Sequence, residues 1–245
     1  MRYLLTIILL FSGFASAQVK QTVSVYHYHT KPPLVINIQI KQGLYYDFTR
    51  YLNTRSTTHH FELVFVPRKR IERMLKDEKL QGILLGVNPV WFNDKKEVNY
   101  LWTEKIFTDR DEVVSLAETP IEFTTPDSLA GKVFGGVRGF YYYGISELVN
   151  RNKISHIETV KEVDLFYMLL NKRIDAAVIS RSTLDYLVKK NNWQSIFHLS
   201  NKPHDIYERR VLVPKHLSPV FDELDTIVKK LPKDKNWLKI LARYK

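Results

Sequence analysis

The sequence predicts an α/β protein of two lobes, and three observations carry that prediction. Short apolar runs bounded by glycine, proline or asparagine alternate with stretches whose apolar residues follow a helical spacing. That alternation occurs once between residues 19 and 87 and again between residues 133 and 199. The chain then returns with one further strand and a helical tail, so two chain crossings join two α/β layers into lobes with a cleft between them. Layers of this kind bind their ligands outside the carboxyl ends of the strands.

In chain order, the opening MRYLLTIILLFSGFASA carries one charge, an apolar run and the small-x-small site Ala15-Ser16-Ala17, which reads as a secretory leader over residues 1–17 cut before Gln18. Its apolar run, Tyr3 to Phe11, falls short of the ~20 residues a membrane span needs, as does every later run. Val19 to Tyr28 alternates with period two and reads as a strand, ended by Pro32-Pro33, which cannot continue a ladder. Gly43 opens a helix with Leu44, Phe48, Tyr51 and Leu52 on one face. Phe61 to Pro67 is a second strand, Arg70 to Leu80 a second helix, and Ile83 to Val87 a third strand.

The stretch Gln81 to Trp102 organises this first layer. Its strand ends in Asn88-Pro89, which delivers Asn88, Trp91, Phe92 and Asn93 to a strand end. Two aromatic faces beside amide donors and acceptors suit a small-molecule pocket. The same residues also suit a turn that plugs its own core.

Beyond it, Ile106 to Ser115 is extended and Glu118 to Pro126 is a turn-rich link. Val133 to Val137 is a strand, and Gly139 starts a helix over Tyr141 to Asn150, which would place Arg138 at a helix N-terminus, where an anion is favoured. Ile154 to Val160 is a strand, Val163 to Leu170 a helix, Arg173 to Ile179 a strand ending at Ser180, Thr183 to Asn191 a helix, and Ser195 to Leu199 is extended. Tyr207 to Val213 is the returning strand, and the tail from Pro219 to Tyr244 is helical with a break near Pro232. The lobe boundaries expected from this order are residues 18–112 with 206–245 for the first lobe and 113–205 for the second.

Composition narrows the function. The 245 residues include no cysteine, which excludes a disulfide framework and a lipid-anchoring cysteine at the cleavage site. With 44% hydrophobic and 13% aromatic residues the chain can bury its own cores. The formal charge of +11 falls to +10 once Arg2 leaves with the leader. Its basic clusters are short and scattered and no nucleic-acid motif accompanies them, so an anionic ligand or envelope surface accounts for the charge more economically than nucleic acid. His27 and His29 would share a face if the first strand ran through them, a spacing compatible with zinc or copper, but no third ligand accompanies them, and His59-His60 sits in a polar loop. No metal and no cofactor is expected.

The residues Lys31-Pro32-Pro33-Leu34, Gly43-Leu44-Tyr45-Tyr46-Asp47, Leu80-Gln81-Gly82-Ile83-Leu84-Leu85-Gly86, Asp127-Ser128-Leu129-Ala130-Gly131-Lys132 and Leu169 to Ala176, in this order and spacing, resemble the bacterial extracellular solute-binding proteins of family 3. The resemblance covers nearly the whole mature chain. It implies a type II periplasmic binding protein fold, a monomer in the periplasm, and closure on a small polar ligand, for uptake through an ABC-type membrane permease or for a membrane sensor. It implies a site lined by Tyr28, His29, Pro33 and Tyr46 from the first lobe, Asn88, Trp91, Phe92 and Asn93 from the central turn, and Arg138, Phe140, Tyr141 and Ser180 from the second. Two anchors of the family's amino-acid binders are missing. The carboxylate-binding arginine aligns with Asp94 or Asn93, and the ammonium-binding aspartate aligns with Ser180. Arg138, Arg181 and Arg68 are the candidates to compensate, Tyr26 joins the aromatics that can stack, and an anionic or aromatic ligand is expected. Some relatives of this fold are lyases, for which Asp47, His29 and Asp94 are the available acid-base groups, but no nucleophile with a base and an orienting partner is visible and no catalysis is expected.

Overall fold

The computed structural model describes residues 20–244, so the leader and Val19 lie outside the described residues. The first layer runs β1 (Gln21–His27), α1 (Leu44–Arg55), β2 (His59–Phe65), α2 (Arg68–Lys76) and β3 (Ile83–Val87). Each alternation has its cause in burial. In β1 the residues Val23, Val25 and His27 are buried while Ser24 and Tyr26 between them are half-buried, and β3 is buried along its whole length. β1 pairs in parallel with both β2 and β3.

A turn of 3₁₀ helix, Pro89–Phe92, follows β3, then a short strand not anticipated from the sequence, β4 (Leu101–Trp102), and β5 (Phe107–Leu116). The second layer is β6 (Val133–Val137), α3 (Ile145–Asn150), β7 (Ser155–Thr159), α4 (Glu162–Leu170), β8 (Ala176–Ser180), α5 (Arg181–Asn191) and β9 (Phe197–Leu199). The chain returns in β10 (Asp205–Val213) and ends in α6 (Ser218–Val228) and α7 (Lys235–Ala242). The break expected near Pro232 is a 3₁₀ turn, Leu231–Lys233. One expectation is corrected: Gly139 does not open a helix. Gly139 and Gly144 both take φ of 78°, so the chain turns twice before α3 begins at Ile145. Arg138 is therefore not at a helix N-terminus.

The strands form one connected path, β2-β1-β3-β10-β5-β8-β6-β7, with β4 added on β10 and β9 on β5. At the centre stand the two crossings. β10 pairs antiparallel with β3 through Arg210 to Leu212 and with β5 through Asp205 to Arg209, with a register irregularity at Arg210/Val211. β5 in turn pairs antiparallel with β8, which places Asp111 opposite Ser180. Within each layer the pairing is parallel, as between β6 and both β7 and β8. Separate apolar cores flank the two halves. One joins Val25, Phe48 and Leu52 to Leu224 and Trp237 of the returning tail, and another joins Leu165, Phe166 and Leu184. Among the described residues no helix is long and apolar enough to cross a membrane.

Candidate functional site at the seam between the lobes

Topology brings the carboxyl ends of four parallel strands together. Lys31 follows the end of β1, Gly86 stands near the end of β3, Glu162 opens α4 just after β7, and Ser180 ends β8. Lys31 Nζ donates to Glu162 Oε2 at 2.5 Å. Glu162 Oε1 accepts from both the backbone N–H and the hydroxyl of Ser180, each at 2.9 Å. The Ser180 hydroxyl lies 3.1 Å from Thr183 Oγ1, which donates to the Pro32 carbonyl at 2.7 Å. All these polar side chains are buried, so each charge and hydroxyl needs the partner it has.

Beside this link lies a second buried pair, Arg209 of β10 and Asp109 of β5. Arg209 is 1% exposed, and its Nε donates to Asp109 Oδ2 at 3.0 Å. Its Nη1 donates to the Gly86 carbonyl at 3.0 Å and its Nη2 to the Tyr207 hydroxyl at 3.1 Å. The rings of Trp91, Phe107 and Tyr207 stand 5.8, 5.9 and 5.1 Å from the guanidinium carbon. Gly86, at φ of 74°, lets the Tyr45 hydroxyl pack directly on the strand, where a Cβ would collide with it. Burial would raise the Asp109 carboxyl, but the charges of Arg209 and Lys31 and the bonds from Ser182 outweigh it and hold the group below the usual carboxylate range.

His29 sits between Arg209 and Tyr45. Burial, then the neighbouring charges of Arg209 and Lys31, drive its pKa well below the ordinary imidazole value, so it is neutral. A guanidinium only donates, so His29 Nε2, 3.5 Å from Arg209 Nη1, is the accepting nitrogen, and Nδ1–H faces the Tyr45 hydroxyl at 3.4 Å. The remaining carboxylate is Asp111. It accepts from the Tyr207 hydroxyl at 2.9 Å, and burial pushes its pKa up to about 6.

Asp111 gives a pH dependence of definite sign. A carboxyl whose folded pKa lies above its unfolded value of ~3.9 costs nothing where both states are protonated, and progressively destabilises the fold as pH rises through about 6. Asp111→Asn, which keeps an acceptor for Tyr207, is therefore expected to be more stable than the parent at pH 8, with the difference vanishing near pH 4. Denaturant unfolding at the two pH values measures it; a difference independent of pH would refute the assignment.

The sequence-derived candidates divide. His29, Trp91 and Ser180 are brought into the buried cluster. Tyr28 is buried against it, its ring 4.2 Å from that of His29 and its hydroxyl without a partner among the described residues. Pro33 is buried one residue after the Pro32 carbonyl that receives Thr183. Tyr46 is half-buried against the first core. Asn88 caps the 3₁₀ turn, accepting from Val90 N and donating to the Glu208 carbonyl, and Asn93 closes that turn with φ of 53°. Phe92 lies under Arg68, which also bonds Glu72 and the Trp91 carbonyl. Tyr26 donates to the Gln81 carbonyl at 3.3 Å.

On the second lobe the arrangement departs further from expectation. Arg138 is exposed and paired with Glu158 at 3.2 Å, beside a surface cavity of about 770 Å³ lined by residues 154–158. Tyr141 is exposed and bonds Glu147, and Phe140 is half-buried against the second-lobe cores. Arg181 is taken by Asp185 and Glu112. Asp94, at the position of the missing arginine, folds its own loop. It accepts from the backbone of Val98, Asn99 and Tyr100 and from Trp102 Nε1. Asp47 is held by Arg50, Arg243 and Tyr244. β1 ends at His27, so His27 and His29 do not share a strand face, and among the described residues no group of three or more His, Cys, Asp or Glu is arranged to hold a metal ion.

Of the charged members of the cluster, Lys31 figures in the sequence reading only as part of a landmark, and Asp109, Asp111, Glu162 and Arg209 are not among its candidates. The signal was present: Asp109-Arg110-Asp111-Glu112 and Glu208-Arg209-Arg210 are charge runs inside extended segments that must be buried. Buried charges require partners, and complementary runs on the two crossing strands point to one another.

No protein-family model matches the chain, and no curated protein matches it in sequence. Solved structures do. An ancestral arginine-binding protein bound to arginine superposes with a TM-score of 0.70 at 15% identity, covering 92% of this chain and 98% of that one. The GluR0 ligand-binding core from Nostoc punctiforme in complex with glutamate gives 0.69 at 17% identity, covering 91% and 98%. The VFT2 domain of BvgS from Bordetella pertussis, a double mutant, gives 0.65 at 15% identity, covering 91% and 93%. The fold they share with this chain is the two-lobed type II periplasmic binding protein fold, with solute-binding proteins of family 3 among its holders.

Proposed function

We propose that this chain is a solute-binding protein of the family 3 kind, exported by the leader over residues 1–17, whose lobes (residues 18–112 with 206–245, and 113–205) close on a small polar solute at the seam. One observation carries the reading. Strand ends from both lobes supply buried, directional polar groups and aromatic faces to one place, as a site completed by closure requires. Asp47 and Asp94 are committed to structural bonds and His29 is neutral between Arg209 and Tyr45, which favours binding over catalysis.

The test is a thermal-shift screen of the purified protein against amino acids, organic acids, sugars and amines. A solute present at 100 times its Kd adds about 2.7 kcal/mol. For a domain of this size that is a rise of roughly 5–10 °C. Silence across every class would overturn the reading. Uptake through a permease is the first use of such a protein. The likeness to the BvgS domain supports a second, in which the closed form is read by a membrane sensor; capture of a permease or of a sensor kinase by the solute-loaded protein separates the two.

A further inference from the structure

At the seam the two lobes hold each other through their own charges. Lys31 comes from the loop after β1, and its ammonium is seated on Glu162 at the start of α4 in the other lobe, 2.5 Å away, with side-chain exposures of only 10% and 6%. Glu162 is aimed by Ser180, which donates to it twice, and Thr183 crosses the same seam to the Pro32 carbonyl, one residue from Lys31. A lysine on a flexible stem, removed from water and fastened by a pre-aimed carboxylate of the opposite lobe, is bound as a ligand's ammonium would be.

We propose that Lys31 is a tethered internal cation that closes the lobes on Glu162, and that the solutes able to take its place carry an ammonium or a related cation. The second half rests on the solute-binding reading above; the first half does not.

The charges around the seam decide between cation and anion. Arg209 is matched by Asp109 at 3.0 Å, and its donors are committed to that carboxylate, to Gly86 and to Tyr207, which leaves no open fork for a solute's carboxylate. Lys31 is fastened to Glu162, and a further carboxylate, Asp111, stands close by, opposite the Ser180 that aims Glu162 and bonded to the Tyr207 hydroxyl. An anionic solute would have to compete with Glu162 for Lys31 while facing Asp111. A cationic solute displaces Lys31 from Glu162 and brings a further positive charge to the side of the seam that holds Asp111.

The chain has no cysteine, so Gln39→Cys and Lys153→Cys, exposed positions on opposite lobes, accept spin labels at those two sites alone. In buffer without solute the labelled parent is expected to give a single short distance by pulsed electron resonance. Lys31→Met, which keeps the apolar stem, and Glu162→Gln are each expected to move most of the population to a longer distance. Lys31→Arg keeps the short one, and the exchange Lys31→Glu with Glu162→Lys recovers it. An unchanged distribution in Lys31→Met overturns the latch, and that variant remains decisive if Glu162→Gln fails to fold. Calorimetry with putrescine, choline and succinate tests the solute class. Putrescine or choline is expected to bind Lys31→Met about tenfold tighter than the parent, since the latched fraction no longer competes. Tighter binding of succinate overturns the cation preference alone. Absence of heat from all three probes overturns the solute half, and the broader screen then decides whether the solute-binding reading falls with it.

Discussion

Replacing Arg209 by methionine is expected to lower stability by about 3–5 kcal/mol, the cost of leaving one partner of a buried ion pair without the other. For a domain of this size that is a fall in melting temperature of roughly 6–20 °C. Methionine fills much of the same volume, so the loss is electrostatic: Asp109, 5% exposed, keeps the Ser182 bonds, the Arg110 backbone N–H and the more distant charge of Lys31, and the Gly86 carbonyl and Tyr207 hydroxyl lose their donors. Asp109→Asn is expected to cost a similar amount, because the guanidinium is then the unpaired charge. Arg209→Met combined with Asp109→Leu should recover a large part of the loss, since apolar replacement of both partners removes the desolvation as well as the attraction. A coupling below about 1 kcal/mol in that cycle would show the pair to be incidental. The pH sign follows from Asp109: its folded pKa is depressed, so its contribution is complete above the unfolded value of ~3.9 and is lost as pH falls below it.

That pair also marks the limit of what the sequence discloses. Ile83–Val87 and Val133–Val137 were legible to the residue because each is a buried apolar run closed by residues that cannot extend it. The helix after Arg138 was misplaced because the stretch holds two glycines, and nothing local says that both adopt left-handed geometry before α3 begins. Lys31 and Glu162 lie 131 residues apart, and their meeting depends on how two lobes dock across two crossings, a fact with no local signature. Asp94 shows a different failure. The family resemblance sets it at the arginine position, but its role is fixed by three backbone N–H groups and an indole within the next eight residues. The composition of the central turn suits both a pocket and a plug, and the turn is divided. Trp91 joins the buried cluster, while Asn88 and Asn93 hold the turn itself.

The second large effect is expected away from the seam, at Glu223 of α6. Its Oε1 accepts from the Thr57 and Thr58 backbone N–H groups at 2.6 and 3.1 Å and from the Thr57 hydroxyl at 3.1 Å. Its Oε2 accepts from the Ser56 and Thr58 hydroxyls, both at 2.8 Å, and from His59 Nδ1 at 2.6 Å. One carboxylate thus ties the α1–β2 turn to the returning tail, which Asp234 and Asp47 also stitch to α1 through Tyr51, Arg55, Arg243 and Tyr244. Glu223→Ala is expected to cost about 2–3 kcal/mol, the range for hydrogen bonds to a charged group, with the partly exposed threonines recovering some bonding from water. Glutamine should rescue little, because its amide would point N–H groups at donors. Burial opposes ionisation of Glu223, but the donors from His59, Thr57, Ser56 and Thr58 outweigh it and hold the carboxyl far below the usual range. Its stabilisation is therefore fully present above the unfolded value of ~4.3 and lost as pH falls through lower values, so parent and Glu223→Ala should converge in denaturant midpoint toward pH 2. A gap that stays constant from pH 7 to pH 2 would refute the charged clamp. Since Glu223 touches none of the seam residues, this variant should lose stability without changing which solutes bind, whereas Lys31→Met should change closure.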